Sequence, residues 1–205
     1  MDYMILTTLI LSILVILGIV AVVFKLFEDS KPRVEYIVLL AVLAAIGALG
    51  RIPSAAIPSV QAASFIIIMA GVVFGKETGF LTGVLTALVS DLFLGLGYWT
   101  VFQMIAWGLM GLTAGMLSSK MENRYLRAGF GFVWGLLFGW ITDLSMLFYL
   151  SSINLGAILG IFASGFVYDV IHGVTNAVLL LLFYGLFRRI FLRSKERYMD
   201  RELRA

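Results

Sequence analysis

The sequence predicts an all-α polytopic membrane protein, from its composition, the length of its apolar runs and the placement of its charges. Of 205 residues, 61% are hydrophobic and 13% are charged, and the mean hydropathy is +1.04. A soluble domain is about 45–50% apolar and about 25% charged, so the composition excludes a soluble globular protein, a disordered chain and a nucleic-acid binder. A transmembrane helix needs about 20 apolar residues. The predicted helices and the short loops between them therefore use almost the whole chain and leave no room for a soluble catalytic domain.

Apolar runs bounded by charged or turn residues predict seven helices. No Lys or Arg precedes the first run and no small-residue cleavage site follows it, so it is expected to be a true span. Two prolines break the helical pattern in the segment Arg51–Ser59. The second and third runs are short, which indicates helices that are tilted or partly buried in protein. The predicted helices cover residues 4–26, 34–50, 60–74, 78–95, 100–118, 129–150 and 157–187.

The basic residues predict the orientation of the chain. If the N-terminus lies outside, the inner segments hold 14 of the 15 Lys and Arg residues and the outer segments hold only Arg51. Short cytoplasmic segments of membrane proteins are enriched in Lys and Arg. We therefore expect the N-terminus outside and the C-terminus in the cytoplasm.

Small residues recur at every fourth position on three of the predicted helices. A spacing of four keeps them on one helix face, where small side chains let helices pack closely in lipid. Each stripe also contains one aspartate, which close packing alone does not explain. The stripes are Gly79, Gly83, Ala87, Asp91 and Gly95; Gly131, Gly135, Gly139 and Asp143; and Gly165, Asp169, Gly173 and Ala177.

Polar side chains collect in the predicted outer half of the bundle. An ionisable residue at membrane depth is costly and usually faces the bundle interior or a wet cavity. The pattern therefore predicts a binding cavity that is open to the outside and closed toward the cytoplasm. The candidate binding residues are Arg51, Gln61, Asp91, Trp99, Gln103, Trp107, Asp143, Asn154, Asp169, His172 and Asn176.

Several of these residues also fit purely structural roles. Asp143 and Asp169 suit interhelical hydrogen bonds, and Asp91 suits a cap on the glycine-rich turn that follows it. Trp99 suits an interfacial aromatic belt. His172 suits a core histidine whose hydrogen bonds are satisfied. As it is the single histidine of the chain, no metal site is expected.

The sequence carries no recognisable catalytic motif. The segment Gly71–Glu77 has three residues between its glycines, where a phosphate loop needs four, and Glu follows its Lys where that loop has Ser or Thr. Ser164 and His172 do not form a nucleophile motif. We predict no catalytic residue and no cofactor bound by this chain. A stand-alone secondary transporter, which would show polar residues at inner depth, and a membrane enzyme are the alternatives.

The second predicted helix contains two overlapping Ala-x-x-x-Ala pairs, at positions 41/45 and 44/48. With the segments Phe65–Gly75, Gly79–Gly83 and Ser90–Gly95, this pattern resembles the substrate-binding S component of energy-coupling factor (ECF) vitamin transporters. The resemblance covers about residues 34–190. It implies a compact six-helix core at 31–190, an extra N-terminal transmembrane helix at 1–30 and a basic cytoplasmic tail at 191–205.

The resemblance also implies how such a protein works. An S component in the bacterial cell membrane captures a vitamin from outside, docks on a transmembrane coupling (T) subunit, topples in the bilayer and releases the vitamin inside. Two cytoplasmic ATPase subunits bind ATP and Mg²⁺, so this chain needs no nucleotide site. The segment Arg51–Ser59 resembles the outer lid over the site. The implied docking residues are Ala41, Ala44, Ala45 and Ala48.

The sequence pattern indicates the protein family more closely than it indicates which vitamin is bound. The whole pattern is most similar to the cobalamin-specific S components, and a cavity of mixed Asp, Asn, Gln and Trp side chains fits a large ligand with many amides. A single outer cation argues against folate and weakly against pantothenate. The residues alone do not separate cobalamin from queuosine precursors, thiamin or riboflavin.

Overall fold

The computed structural model describes residues 3–150 and 152–198, and these fold into seven α-helices without a β-strand. Three short 3-10 segments, at Pro53–Ala56, Ser118–Glu122 and Leu144–Tyr149, connect the helices. The described part of the chain is therefore all-α, as the sequence predicts. The helices are α1 (Tyr3–Asp29), α2 (Val34–Arg51), α3 (Ala63–Phe74), α4 (Lys76–Leu94), α5 (Tyr98–Met116), α6 (Arg124–Asp143) and α7 (Leu155–Tyr198).

Five of these helices are long and apolar enough to cross a membrane, namely α1, α2, α4, α6 with the 3-10 segment after it, and α7. Helix α3 has only 12 residues, or about 18 Å of rise, against about 30 Å of bilayer hydrocarbon. Almost all of its residues are buried, and it packs against α2, α4, α5 and α7. The short third run is thus a core helix surrounded by protein, and a count of seven complete crossings stays a prediction.

Close contacts between glycines assemble the bundle as two helix pairs, α4 with α5 and α6 with α7. A Cβ atom at Gly79 would lie 2.4 Å from the carbonyl oxygen of Gly111. In the other pair, a Cβ atom at Gly135 would lie 2.3 Å from the Cα atom of Gly173. Since ordinary carbon contacts are about 3.5–4.0 Å, only glycine permits these distances. All three predicted stripes contribute a glycine to these seams, namely Gly79, Gly135 and Gly173.

The turn between α3 and α4 consists of one residue, Gly75, with φ of +104°. This conformation is accessible to glycine and rarely to other residues. The tight turn places the buried α3 directly beside α4, so that the start of α3 and the end of α4 lie at the same, predicted outer end of the bundle.

Helix α7 is longer than the predicted run at 157–187, since it continues to Tyr198. Its basic residues are therefore helical up to Arg197, and two of them contact the rest of the chain. Arg188 pairs with Glu122 at 2.9 Å, and Lys195 donates a hydrogen bond to the Val73 carbonyl at 3.0 Å. Part of the predicted basic tail thus packs on the predicted cytoplasmic end of the bundle; Arg201 and Arg204 lie outside the described residues.

Helix α1 lies against α4 and α5. Among its described side chains only Val20 is buried, so most of this helix faces outward. Helix α1 does not cover the face of α2 that carries Ala41 and Ala45, since both of these residues are exposed. Among its described residues the extra helix therefore contributes one buried side chain, Val20, to the hydrophobic core and otherwise packs beside it.

Candidate functional site

The ends of α2 and α4 meet through an ion pair. Arg51 Nη1 donates to Asp91 Oδ1 at 2.5 Å and to Ser90 Oγ at 2.6 Å. The Asp91 side chain is completely buried and that of Arg51 is 12% exposed. The Arg51 guanidinium also lies 5.0 Å from the centroid of the Trp107 ring, a cation–π distance. The single outer cation is thus already paired within the chain.

A second polar connection joins α5, α3 and α7 beneath this pair. Trp107 Nε1 donates to Ser64 Oγ at 2.9 Å, and Ser64 Oγ lies 2.7 Å from His172 Nε2. Because an indole N–H can only donate, Ser64 accepts from Trp107 and its own hydroxyl hydrogen is available to His172. Phe138 packs edge-on against His172 and tilted against Trp107, with ring centroids 5.0 and 4.7 Å away.

His172 is thus a buried histidine with a hydrogen-bond partner inside the chain, and its role as a binding residue stays a prediction. His172 is 3% exposed. The aromatic rings of Trp107 and Phe138 lie next to it, beside the polar side chains of the predicted outer half. The side chain therefore packs between Ser64 of α3 and Phe138 of α6.

Two carboxylates lie on the seam between α6 and α7. A Cβ atom at Gly139 of α6 would fall 1.7 Å from Asp169 Oδ1 of α7. Conversely, a Cβ atom at Gly165 of α7 would fall 2.7 Å from Asp143 Oδ2 of α6. Each carboxylate thus occupies the space left by a glycine of the other helix, so a larger residue at either glycine would displace the aspartate opposite.

Most of the buried side-chain nitrogen and oxygen atoms that have no hydrogen-bond partner belong to the predicted binding residues. Within the described part of the chain there are six such atoms, and one of them is the hydroxyl of Thr82. The other five are acceptor oxygens on four different helices. They are Asp91 Oδ2, Gln103 Oε1, Asp143 Oδ2, Asp169 Oδ2 and Asn176 Oδ1.

Three predicted residues lie toward the outer rim. Gln61 lines a cavity of about 190 Å³ together with Arg51 and residues of the lid segment. Trp99 is partly exposed and covers Gly97. Asn154 is exposed, and its Oδ1 accepts a hydrogen bond from the Ala157 amide at 2.9 Å, as a capping residue at the start of a helix does.

Sequence reasoning missed Ser64, Ser90 and Phe138. Ser90 stands next to Asp91, so its adjacency to a predicted site residue was an available signal. Ser64 and Phe138 gave no such signal, because their roles depend on which helices face each other. Among the described residues, no group of three or more His, Cys, Asp or Glu side chains is placed to hold a metal ion.

The four implied docking alanines divide between two faces of α2. Ala44 and Ala48 are buried, and the Ala44 carbonyl accepts a hydrogen bond from Thr86 of α4 at 3.5 Å. Ala41 and Ala45 are exposed, as are Val38, Val42 and Leu49 near them on the same helix. In this conformation, therefore, only Ala41 and Ala45 are open to a partner.

Comparison with known proteins identifies the family. The family model described as ECF-type riboflavin transporter, S component, matches residues 31–189. No curated protein and no solved structure matches the chain. The matched region covers α2 to α6 and most of α7, and it contains every candidate binding and docking residue. Membership implies a vitamin-transport subunit that associates with T and ATPase subunits. The chain therefore belongs to the S-component family of ECF transporters, as a multi-pass membrane protein.

Proposed function

We propose that this S component binds cobalamin between the polar side chains of its predicted outer half. The observation that carries the proposal is the set of five buried acceptor oxygens without partners, all on predicted binding residues. A buried polar group without a hydrogen bond costs about 1–3 kcal/mol, so a ligand rich in N–H donors gains by entering. Cobalamin carries several primary carboxamides and a large apolar ring face, which match the acceptors and the Trp107–Phe138 pair.

Riboflavin is the second candidate, because the matching family is described by that vitamin. A flavin ring also suits the aromatic contacts at Trp107 and Phe138. The hydroxyl groups of its ribityl chain can donate to the buried acceptors, but a corrinoid offers more N–H donors from its carboxamides. We therefore place cobalamin first.

The lid and the docking face complete the proposed mechanism. Residues of the segment Arg51–Ser59 line the small cavity at the predicted outer end. We propose that this segment is the lid and that it lifts to admit the vitamin. The exposed face at Ala41 and Ala45 docks on the T subunit, since small residues permit close helix contact in lipid. ATP and Mg²⁺ act on the ATPase subunits, the N-terminus lies outside and the C-terminus lies in the cytoplasm.

Calorimetric titration of the purified chain tests the substrate. The panel comprises cobalamin, riboflavin, thiamin, a queuosine precursor and pantothenate. We expect nanomolar binding of cobalamin and weaker or no binding of the others. Tighter binding of another vitamin would replace the substrate, and failure of the whole panel would overturn the assignment of a vitamin site to these residues.

A further inference from the structure

A crevice separates α1 from the core at the predicted cytoplasmic end of the bundle. Its volume is about 680 Å³, against about 190 Å³ for the cavity beside the lid segment. One of its walls is α1, which lies outside the region 31–189 that the family model matches. Membership of the S-component family therefore assigns no ligand to this crevice.

The crevice is apolar at depth and polar at its mouth. Its deeper lining includes Val23 of α1, Phe80 of α4 and Leu112 of α5. Between the mouth and this deeper part, from residue 30 back to residue 23, the chain rises about 10 Å, which is about a third of the bilayer hydrocarbon. A phospholipid has the same order of groups, with its acyl chains toward the bilayer centre and its headgroup at the surface. The polar lining residues, which form the mouth, are Ser30, Tyr36, Lys76 and Glu77.

The position of the crevice favours a lipid as its occupant. An apolar lining does not hold water, which needs roughly two to four polar partners, and an empty crevice would forfeit van der Waals contacts of the lining side chains. Lipid acyl chains surround a membrane protein at this depth. Because they are as apolar as leucine side chains, the acyl chain distinguishes poorly between phospholipids, and the headgroup contacts decide which one binds.

The mouth offers one cation and one carboxylate to a headgroup. Lys76 Nζ lies 3.8 Å from Glu77 Oε1, and the two side chains are 57% and 65% exposed. An ion pair with this exposure contributes little to stability. Each of the two charges is therefore available to a charged group of a ligand.

The two hydroxyl groups of the mouth have already used their hydrogens inside the chain. Ser30 Oγ donates to the Phe27 carbonyl at 2.6 Å. Thr78 Oγ1 donates to the Phe74 carbonyl at 3.2 Å, so in the hydrogen bond between Tyr36 and Thr78 the Tyr36 hydroxyl is the donor. Since a hydroxyl has a single hydrogen, Ser30 and Tyr36 retain only acceptor lone pairs for a ligand.

We propose that this crevice binds one phospholipid of the cytoplasmic leaflet whose headgroup carries a phosphate and an ammonium, as phosphatidylethanolamine does. The phosphate pairs with Lys76, and the ammonium pairs with Glu77 and donates to the hydroxyl oxygens. Phosphatidylglycerol has a phosphate but no cation for Glu77, and the quaternary ammonium of phosphatidylcholine has no N–H to donate. The bound lipid connects α1 to the core, and the proposal does not depend on the identity of the vitamin.

Native mass spectrometry of the full chain in detergent tests the proposal, with phosphatidylethanolamine, phosphatidylglycerol and phosphatidylcholine of identical acyl chains as probes. Val23→Trp fills the crevice from the α1 side. Val22→Trp is its matched control, because Val22 is 58% exposed on the same helix and does not line the crevice. Glu77→Gln removes the carboxylate without altering α1, and Glu196→Gln, at an exposed carboxylate of α7, is its control. Thermal unfolding verifies that each variant is folded.

We expect the wild-type chain to hold one phosphatidylethanolamine and to bind it more tightly than the other two lipids. Val23→Trp should lose this lipid and Val22→Trp should keep it. Glu77→Gln should reduce the preference for phosphatidylethanolamine over phosphatidylglycerol about two- to fivefold, the range of an exposed ion pair, whereas Glu196→Gln should leave the preference unchanged.

Equal lipid retention by the Val23→Trp and Val22→Trp chains would show that the lipid binds elsewhere on the surface and would overturn the proposal. Tighter binding of either other lipid by the wild type, or an unchanged preference in Glu77→Gln, would overturn it as well. Vitamin titration is a separate measurement. A chain that holds the lipid but binds no vitamin would refute the proposed function and leave the lipid site standing.

Discussion

The glycine seam between α6 and α7 leads to the sharpest structural prediction, the substitution Gly135→Ala. The new Cβ atom would lie 2.3 Å from the Cα and N atoms of Gly173 and 2.8 Å from the carbonyl carbon of His172. Ordinary contact distances are about 3.5 Å or more, so the two backbones must separate by about 1 Å. No flexible side chain is present that can move instead.

Such overpacking costs about 1–3 kcal/mol. With about 2–4 °C per kcal/mol for a chain of this size, the expected decrease of the melting temperature is about 2–12 °C. The separation also shifts His172 relative to Ser64, whose hydrogen bond is 2.7 Å long. We therefore expect vitamin affinity to fall together with stability.

Gly129→Ala is the matched control, on the same helix and with the same chemical change. A Cβ atom there meets nothing within 4 Å, and alanine is favoured over glycine in a helix by about 1 kcal/mol. Thermal unfolding in detergent, followed by tryptophan fluorescence, should give a melting temperature at or above that of the wild type for this variant. Equal melting temperatures for the two variants would refute the argument that backbone contact sets the seam.

Three further predictions concern docking, the ion pair and the extra helix. Ala45→Trp should abolish vitamin uptake by cells but leave vitamin binding by the purified chain intact, because Ala45 is exposed on α2. The control variant Ala163→Trp, at an exposed alanine of α7, should preserve uptake. Loss of vitamin binding in the Ala45→Trp variant would instead place Ala45 in the pocket. Arg51→Met should destabilise the fold by about 3–5 kcal/mol, since it leaves buried Asp91 without its partner. Chemical unfolding should show that a double variant, which also carries Asp91→Leu, recovers most of the lost stability. A double variant as unstable as Arg51→Met would contradict the role of the ion pair. Deletion of residues 1–30 should leave vitamin affinity within about twofold in calorimetry, because α1 contributes little to the core, whereas a large loss would assign α1 to the site.

Much of the fold follows from the sequence because lipid restricts what a chain can do. A backbone in hydrocarbon must satisfy its own hydrogen bonds, so long apolar runs become helices. In the same solvent small residues mark the helix contacts, and the stripes containing Gly79 and Gly135 indeed form the seams. The helix bounds were less predictable at α7, which continues beyond residue 187 to Tyr198, with Arg188 and Lys195 in contact with other parts of the chain.

The candidate site was only partly readable in advance. Its members were found from the depth of polar residues, and five of them carry unpartnered acceptors. Their pairing was not predictable, because a hydrogen bond between helices depends on the order and rotation of those helices in the bundle. Ser64 illustrates the limit, since it connects Trp107 and His172 from positions 43 and 108 residues away.

The sequence by itself therefore determined the membrane class, the seven helices, the close-packed faces and the polar character of the predicted outer half. These properties depend on composition and periodicity, which a single chain displays directly. The tertiary structure decided which charges neutralise each other, which carboxylates stay without partners and which alanines face outward. Those outcomes depend on distances between helices remote in sequence, as the pairing of Arg51 with Asp91 and the opposite exposure of Ala44 and Ala45 show.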